Sequence, residues 1–502
     1  MHFPSRSVKS CCARTLVGSV LCISLSGAMG WGQTPNSIPA ISAALRSGDF
    51  DSALRLSTEA LSTSPSDIRL LTLQGIAYAH ESALALASFR KALEISPNYL
   101  PALEGAAQTG FEEGGETAKP FLTRLLALKP DDLTSNAMLA VVEYRAADCK
   151  EAVEHFQKAQ ATFADQPNVL MMYGACLASI NRVTDAIPVL QQSVQLDEKN
   201  PVARYDLSLA QWNANKPKEA LETLGPLLED EFAPEDVLTL AADMYEAEND
   251  TQHAVSVLRR AILAHPKNKA AYLQFAYLSY KHSSVQVGID MLNVGISQLP
   301  KEADLYLSRG ILLSQTSDPS HAMSDFETAN RLDPNLSFAS DAEGIARSQM
   351  HDSTAALVTF KTAVRQHPKD GLTQFLLAEA ISQSEPTPSA PTFAEGVAAA
   401  KRSIALDPGR VEAHDLLASF YLRAGKMNLS VQECEESLKL DPNDEQALYH
   451  EILALRAGDK KAEVPALVKR MMKIKQAKAT EVKPKIYLLV EDPPNPTTEQ
   501  PK

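Results

Sequence analysis

Aromatic residues are scarce in this 502-residue chain, at 6%, and only two of them are tryptophans, Trp31 and Trp212. Alanine and leucine recur throughout instead, a mix that favours helices over sheets. Beyond the first thirty residues no stretch approaches 18 apolar residues, so no integral membrane span is expected there. Basic charge is in deficit: 48 Lys and Arg against 62 Asp and Glu leave a formal net charge of −14. So acidic a chain repels phosphate backbones, which argues against nucleic acid as a general partner. Local signatures of chemistry are missing too. No HExxH zinc helix occurs, since His80-Glu81 and His450-Glu451 lack the second histidine. There is no Gly-rich phosphate loop, no GxSxG elbow and no CxxC pair. The eleven histidines are scattered without pairing at i, i+4. The expectation is a protein that is not an enzyme and carries no cofactor or metal, leaving only groups assembled from distant parts of the chain as a catalytic alternative.

What is present begins with a distinct N-terminus. Arg6, Lys9 and Arg14 form a basic start, and Leu16–Ala28 is an apolar run of 13 residues, short for a membrane helix. Ala28-Met29-Gly30 then offers small residues for cleavage, so residues 1–30 read as a secretory signal. Cys22 follows Val20-Leu21, not a small residue, which argues against lipid attachment. The expected location is the periplasm or the extracellular space. Removing the three cations of this segment leaves −17. Cys11, Cys12 and Cys22 leave with it, and Cys149, Cys176 and Cys434 remain. For Cys149 and Cys176 small buried thiols are the favoured reading and a disulfide the alternative.

At this length one ordinary core does not suffice, and several domains or a repeat array are expected. Prolines supply the period. Pro266, Pro300, Pro334 and Pro368 recur at a constant step of 34, Pro408 follows after 40, and Pro442 restores the step. Pro65, Pro97 and Pro130 keep spacings of 32 and 33. Between them the apolar pattern is helical and paired. In residues 303–334, Tyr306, Gly310 and Leu313 share one face, Asp318-Pro319 marks a break, and Ala322, Phe326 and Ala329 share a second face. Two short amphipathic helices cannot bury both faces alone, and stacked neighbours solve that.

These residues resemble the tetratricopeptide repeat family. Its repeating pattern of large, small and aromatic positions is met by Tyr306, Gly310, Leu313, Ala322, Phe326, Ala329 and Pro334, with Arg309 standing where Leu is usual. Leu238, Ala242, Tyr245, Ala254, Leu258, Ala261 and Pro266 match closely, and Gly75, Tyr78, Phe89, Ala92 and Pro97 carry it upstream. Leu170, Tyr173, Gly174, Ala186 and Leu190 form another match, and Cys434 takes the aromatic position of a late unit. The implied fold is all-α, a right-handed α-solenoid of about 13 stacked helix-turn-helix units over residues 34–478. Small residues at positions 8, 20 and 27 would let the helices approach, and bulky ones would fill the gaps. Units are expected to begin near residues 34, 66, 98, 133, 167, 201, 235, 269, 303, 337, 371, 411 and 445.

Two irregularities interrupt the array. Ser384–Thr392, rich in Pro, Ser and Thr, reads as an exposed inserted loop. In the last unit Pro465 and Lys469, Arg470, Lys473, Lys475 and Lys478 crowd the second helix. The tail, residues 479–502, holds the strand-like run Ile486–Val490 and an end with no means of burying itself.

In the family the first helix of each unit lines the concave surface, with positions 2, 5, 9 and 12 pointing inward. Carried over, that rule places Met171, then Tyr205, Leu209 and Trp212, then Asp243 with Asp236, Thr239 and Glu246, then Tyr277 and Tyr280. Aromatic and methionine surface around an acidic step suits an extended peptide or a helix with apolar and basic groups. Burial of the same aromatics between repeats is the competing reading. Together with the signal-like N-terminus, the resemblance implies an extracytoplasmic scaffold or adaptor binding a protein or peptide. The alternative is a structural protein associated with cell-wall glycan or other polysaccharide.

Overall fold

Each α-helix among the described residues is 10–16 residues long, short for a helix standing alone in water, so helical order depends on neighbours. The computed structural model describes residues 37–78, 81–316, 319–458 and 460–479. Among them are 26 α-helices, three single 3-10 turns and no strand. The expected signal segment, the strand-like run Ile486–Val490 and the C-terminal end lie outside the described residues.

The chain divides into two compact units, Met1–Glu231 and Phe232–Lys502. The first holds six hairpins: α1 (Ser37–Arg46) with α2 (Phe50–Thr63), α3 (Ile68–Ala77) with α4 (Ser82–Ile95), and α5 (Leu100–Glu112) with α6 (Lys119–Leu128). They continue with α7 (Leu133–Arg145) and α8 (Cys149–Ala159), α9 (Pro167–Ser179) and α10 (Val183–Leu196), and α11 (Pro201–Asn213) and α12 (Pro217–Leu228). Most of its core is one run of buried side chains from Leu71 to Ala210.

The second unit holds seven hairpins. They are α13 (Glu235–Ala247) with α14 (Thr251–Ala264), α15 (Lys269–Lys281) with α16 (Val285–Gln298), and α17 (Ala303–Ser314) with α18 (Pro319–Leu332). Next come α19 (Ser337–Gln349) and α20 (Ser353–Gln366), then α21 (Gly371–Gln383) and α22 (Pro391–Leu406). The last are α23 (Val411–Arg423) with α24 (Met427–Leu440), and α25 (Glu445–Ala457) with α26 (Val464–Ala479). From α7 onward the first helices begin at the residues that the prolines led us to expect. Within each unit the architecture is a stack of helical hairpins, an α-solenoid.

Packing explains the repeat signature. At Gly310 an added methyl would sit 2.5 Å from Phe326 Cε1, and at Gly174 it would sit 2.5 Å from Leu190 Cγ. The small residue is therefore a seat for the bulky one on the partner helix, and Phe326 is 2% exposed in it. Turns within hairpins add a rule that the proline reading did not contain. Ala147, Asn181, Asn215, Asn249, Ser283 and His351 all have φ between 56° and 64°. They recur at the same step as the prolines, counted across position 317, which lies outside the described residues. Asparagine tolerates this left-handed backbone better than most residues, which accounts for its threefold use. The turn closes with Arg182 N donating to Leu177 O at 2.9 Å, as at a helix C-terminus.

Several expectations change here. Cys149 and Cys176 are joined in a disulfide, not separate thiols as favoured. Cys149 opens α8 and Cys176 lies in α9, the next hairpin's first helix, and their Cα atoms come within 4.8 Å. Cys434 is a free, fully buried thiol, and burial pushes it up from its ordinary range. Arg309 departs from the family's leucine because it is paired with buried Asp325. Pro465 is the second residue of α26, where a missing N–H breaks no helical bond. The inserted loop is exposed over most of its length but anchored. Arg423 donates to Pro386 O at 2.8 Å and lies over the rings of Phe393 and Phe420.

Candidate functional site

In the second unit the first helices bury one side against their own hairpin and the neighbouring first helices and keep exposed positions on the other. The constant repeat length makes residues one repeat apart equivalent on successive helices. In the first unit the corresponding strip is mostly filled in. Met171 is 7% exposed and belongs to the core, so the groove assignment does not describe it. Its neighbours on α9, Leu170 and Met172, are buried as well, which leaves the helix no free apolar edge there. Tyr205, Leu209 and Trp212 on α11 are half-buried. Between them Asp206 has its carboxyl pushed up to about 7 by burial.

The second unit presents more. Asp243 on α13 is exposed, and its Oδ2 accepts a hydrogen bond from Gln274 Nε2 of α15 at 3.1 Å. Crowding by the surrounding helices raises its carboxyl above the ordinary aspartate value, with the Gln274 bond opposing. Tyr277 and Tyr280, on the next first helix, are 66% and 50% exposed. Residues flanking them are core: Tyr272, Phe275, Ala276 and Leu278 are all buried. Glu246 is committed internally. Its Oε1 accepts from Lys281 Nζ at 2.6 Å and His282 Nε2 at 2.9 Å, and its Oε2 from Thr251 Oγ1 at 2.8 Å. These bonds hold its carboxyl below the ordinary glutamate range against the opposing effect of burial.

The strip continues beyond the residues singled out from the sequence. Counting one repeat at a time, Asp243 and Tyr277 are followed by Ile311, Ile345 and Glu379. Ile311 is 41% and Ile345 40% exposed, unusual for isoleucine in so regular a fold. Glu379 is half-buried, and burial raises its carboxyl. One stripe thus runs acid, tyrosine, isoleucine, isoleucine, acid over five hairpins of a single unit. The step that located Tyr277 would have found the other three. In sequence, isoleucine and glutamate at helical spacing read as core and solvated face, so these three carry no mark of their own. Among the described residues no group of three His, Cys, Asp or Glu is placed to hold a metal ion.

Models of the tetratricopeptide repeat match residues 39–99, 137–201, 177–244 and 411–444, and these fall on the hairpins described above. The chain is a tetratricopeptide-repeat protein. No curated protein sequence matches it significantly. Among solved structures it is similar to yeast Tom70, at 14% identity over 88% of this chain and 95% of that one, with a TM-score of 0.39. MamA is similar at 18% identity, over 38% of this chain and 98% of that one, with a TM-score of 0.31. YrrB, described as a TPR protein with an unusual peptide-binding site, is 16% identical over 37% of this chain and 92% of that one, at a TM-score of 0.31. Likenesses this loose pass no property of those proteins to this repeat protein. No described helix is long and apolar enough to cross a membrane.

Proposed function

We propose that this tetratricopeptide-repeat protein is an extracytoplasmic scaffold that holds a peptide segment of a partner protein along the first-helix stripe of its second unit. Tetratricopeptide arrays serve in general as protein-interaction scaffolds, and their repeat signature reports packing, not catalysis. The observation that carries the finer reading is Tyr277, a tyrosine two-thirds exposed on a helix whose neighbouring positions are core. A rigid aromatic with few rotatable bonds and a polar tip is the kind of anchor that interfaces use. Tyr280 and Ile311 extend the apolar surface, and Asp243 borders it with a carboxylate.

Two observations support an exported chain. The first thirty residues have the basic start, short apolar run and small-residue end of a secretory signal. The Cys149–Cys176 bond belongs to the chemistry of oxidising compartments.

Photo-crosslinking tests the reading. A photoreactive residue is placed at Tyr277, the full chain is expressed with its own N-terminus in its native host, and trapped species are identified by mass spectrometry. We expect a defined protein trapped at Tyr277, lost with Tyr280→Ala, and not trapped at Val358, which is 61% exposed on a second helix. Equal trapping at both positions would remove the stripe from consideration.

A further inference from the structure

Between α19 and α21 lies a cavity of about 280 Å³. Its walls are Ile345, Phe360 and Leu376, and its polar lining is Ser348, Gln349, Glu379 and Gln383. The space is too small for a cofactor-sized ligand and suits a single long side chain. Ile345 and Glu379 belong to the exposed stripe, so the cavity opens onto it.

Glu379 is the unusual member. It is half-buried, and no hydrogen bond or ion pair reaches it among the described residues. The arginines on neighbouring first helices are engaged elsewhere. Arg347 of α19 is bound to Glu343 at 2.9 Å and Glu327 at 3.3 Å. Arg423 of α23 is held by the loop carbonyl of Pro386 and two phenylalanine rings. A partly desolvated carboxylate without a cation is costly, and an external cation would offset that cost. The remaining polar lining also offers acceptors, in the side-chain carbonyls of Gln349 and Gln383 and the hydroxyl of Ser348. A planar guanidinium with five donors, less strongly hydrated than an ammonium, matches this set.

The geometry points to a subsite for an arginine side chain: resting on the reading of this face as peptide-holding, the cavity takes an arginine of the partner's segment, its stem against Ile345 and Leu376 and its guanidinium on Glu379. Bound in this way, the arginine leaves the rest of the partner's segment to run along the exposed isoleucines toward Tyr277. The chemistry also predicts the kind of partner segment, apolar with a basic residue at one end.

The test uses n-butylguanidinium as the probe and the isosteric, uncharged n-butylurea as its control. Binding to the full chain is followed through the Ile345 methyl resonance, assigned with Ile345→Val. We expect n-butylguanidinium to shift that resonance in a saturable manner, n-butylurea to bind roughly ten-fold more weakly, and Glu379→Gln to erase the difference. Glu379→Gln removes only a desolvated charge and should fold, and Ser348→Trp, which obstructs the cavity wall, serves as a second variant expected to block the probe. Equal binding of the two probes, or a preference unchanged by Glu379→Gln, would overturn the subsite. Partner trapping at Tyr277 that persists in Glu379→Gln would leave the scaffold standing and remove the arginine from it. Glu379-dependent probe binding without trapping at Tyr277 would do the reverse.

Discussion

Arg309 grips Asp325 across the two helices of one hairpin, its Nε donating to Oδ2 at 2.7 Å and its Nη2 to Oδ1 at 2.6 Å. A third donor, Nη1, reaches Asn293 Oδ1 at 2.7 Å on the preceding hairpin. The Asp325 side chain is 7% exposed and that of Arg309 22%, so the pair is largely out of water. Arg309 also lies 5.7 Å from the centre of the Tyr306 ring.

Replacing Arg309 with the family's leucine is therefore expected to destabilise the second unit, by about 2–4 kcal/mol, because Asp325 is left buried without a cation. Arg309→Leu combined with Asp325→Leu should recover most of that loss, since no charge is stranded. Urea unfolding of the single and double variants measures both. A double variant as unstable as the single would mean that Arg309 acts through packing alone.

Stability should fall as pH rises through neutrality. Burial is the leading cause that pushes the carboxyls of Asp341, Asp415 and Glu143 up to about 7. Each binds a proton in the folded chain at pH values where the unfolded chain has released it. Folding is thus favoured toward low pH, and this contribution is lost between the ordinary carboxylate values and about 7 as the folded groups ionise. Asp341 shows the cause: Thr373 Oγ1 donates to its Oδ2 at 3.1 Å, but its Oδ1 is buried without a partner. Melting temperatures should be higher at pH 5.5 than at pH 8, and Asp341→Asn should flatten part of that slope. A slope of opposite sign would mean that these carboxylates are better solvated than their burial indicates.

The Cys149–Cys176 bond closes a loop with a sequence separation of 27 residues. A loop of that size is expected to stabilise the first unit by roughly 3 kcal/mol through the unfolded state. Peptide mapping without reductant should yield the linked pair, and reductant should lower the melting temperature of the wild type but not of a Cys149→Ala, Cys176→Ala variant. Free thiols at both positions in exported protein would refute the pairing.

The repeat was legible because its signals are local. Proline after the second helix, a small residue in the first and an aromatic on the second are all read within a single repeat, and Gly310 with Phe326 shows why they go together. The left-handed turns have a local mark only at Asn181, Asn215 and Asn249, since Ala147, Ser283 and His351 adopt the same backbone without an asparagine. The candidate surface was legible only as a register. Position alone put Met171 and Tyr277 on the same footing, and packing then made one core and left the other two-thirds exposed. Ile345 and Glu379 carried no local mark, because one line of residues gives no measure of the gap between two neighbouring helices.

By itself the sequence determined element type, period and hairpin number, since a helix and its turn depend on residues within a few positions of one another. Tertiary structure alone decided which groups meet: Arg309 with Asp325, Cys149 with Cys176, and the walls around Glu379. Arg309 and Asp325, Cys149 and Cys176, and Glu379 and Ile345 sit on different helices, and only the stacking of one helix on another brings them within reach.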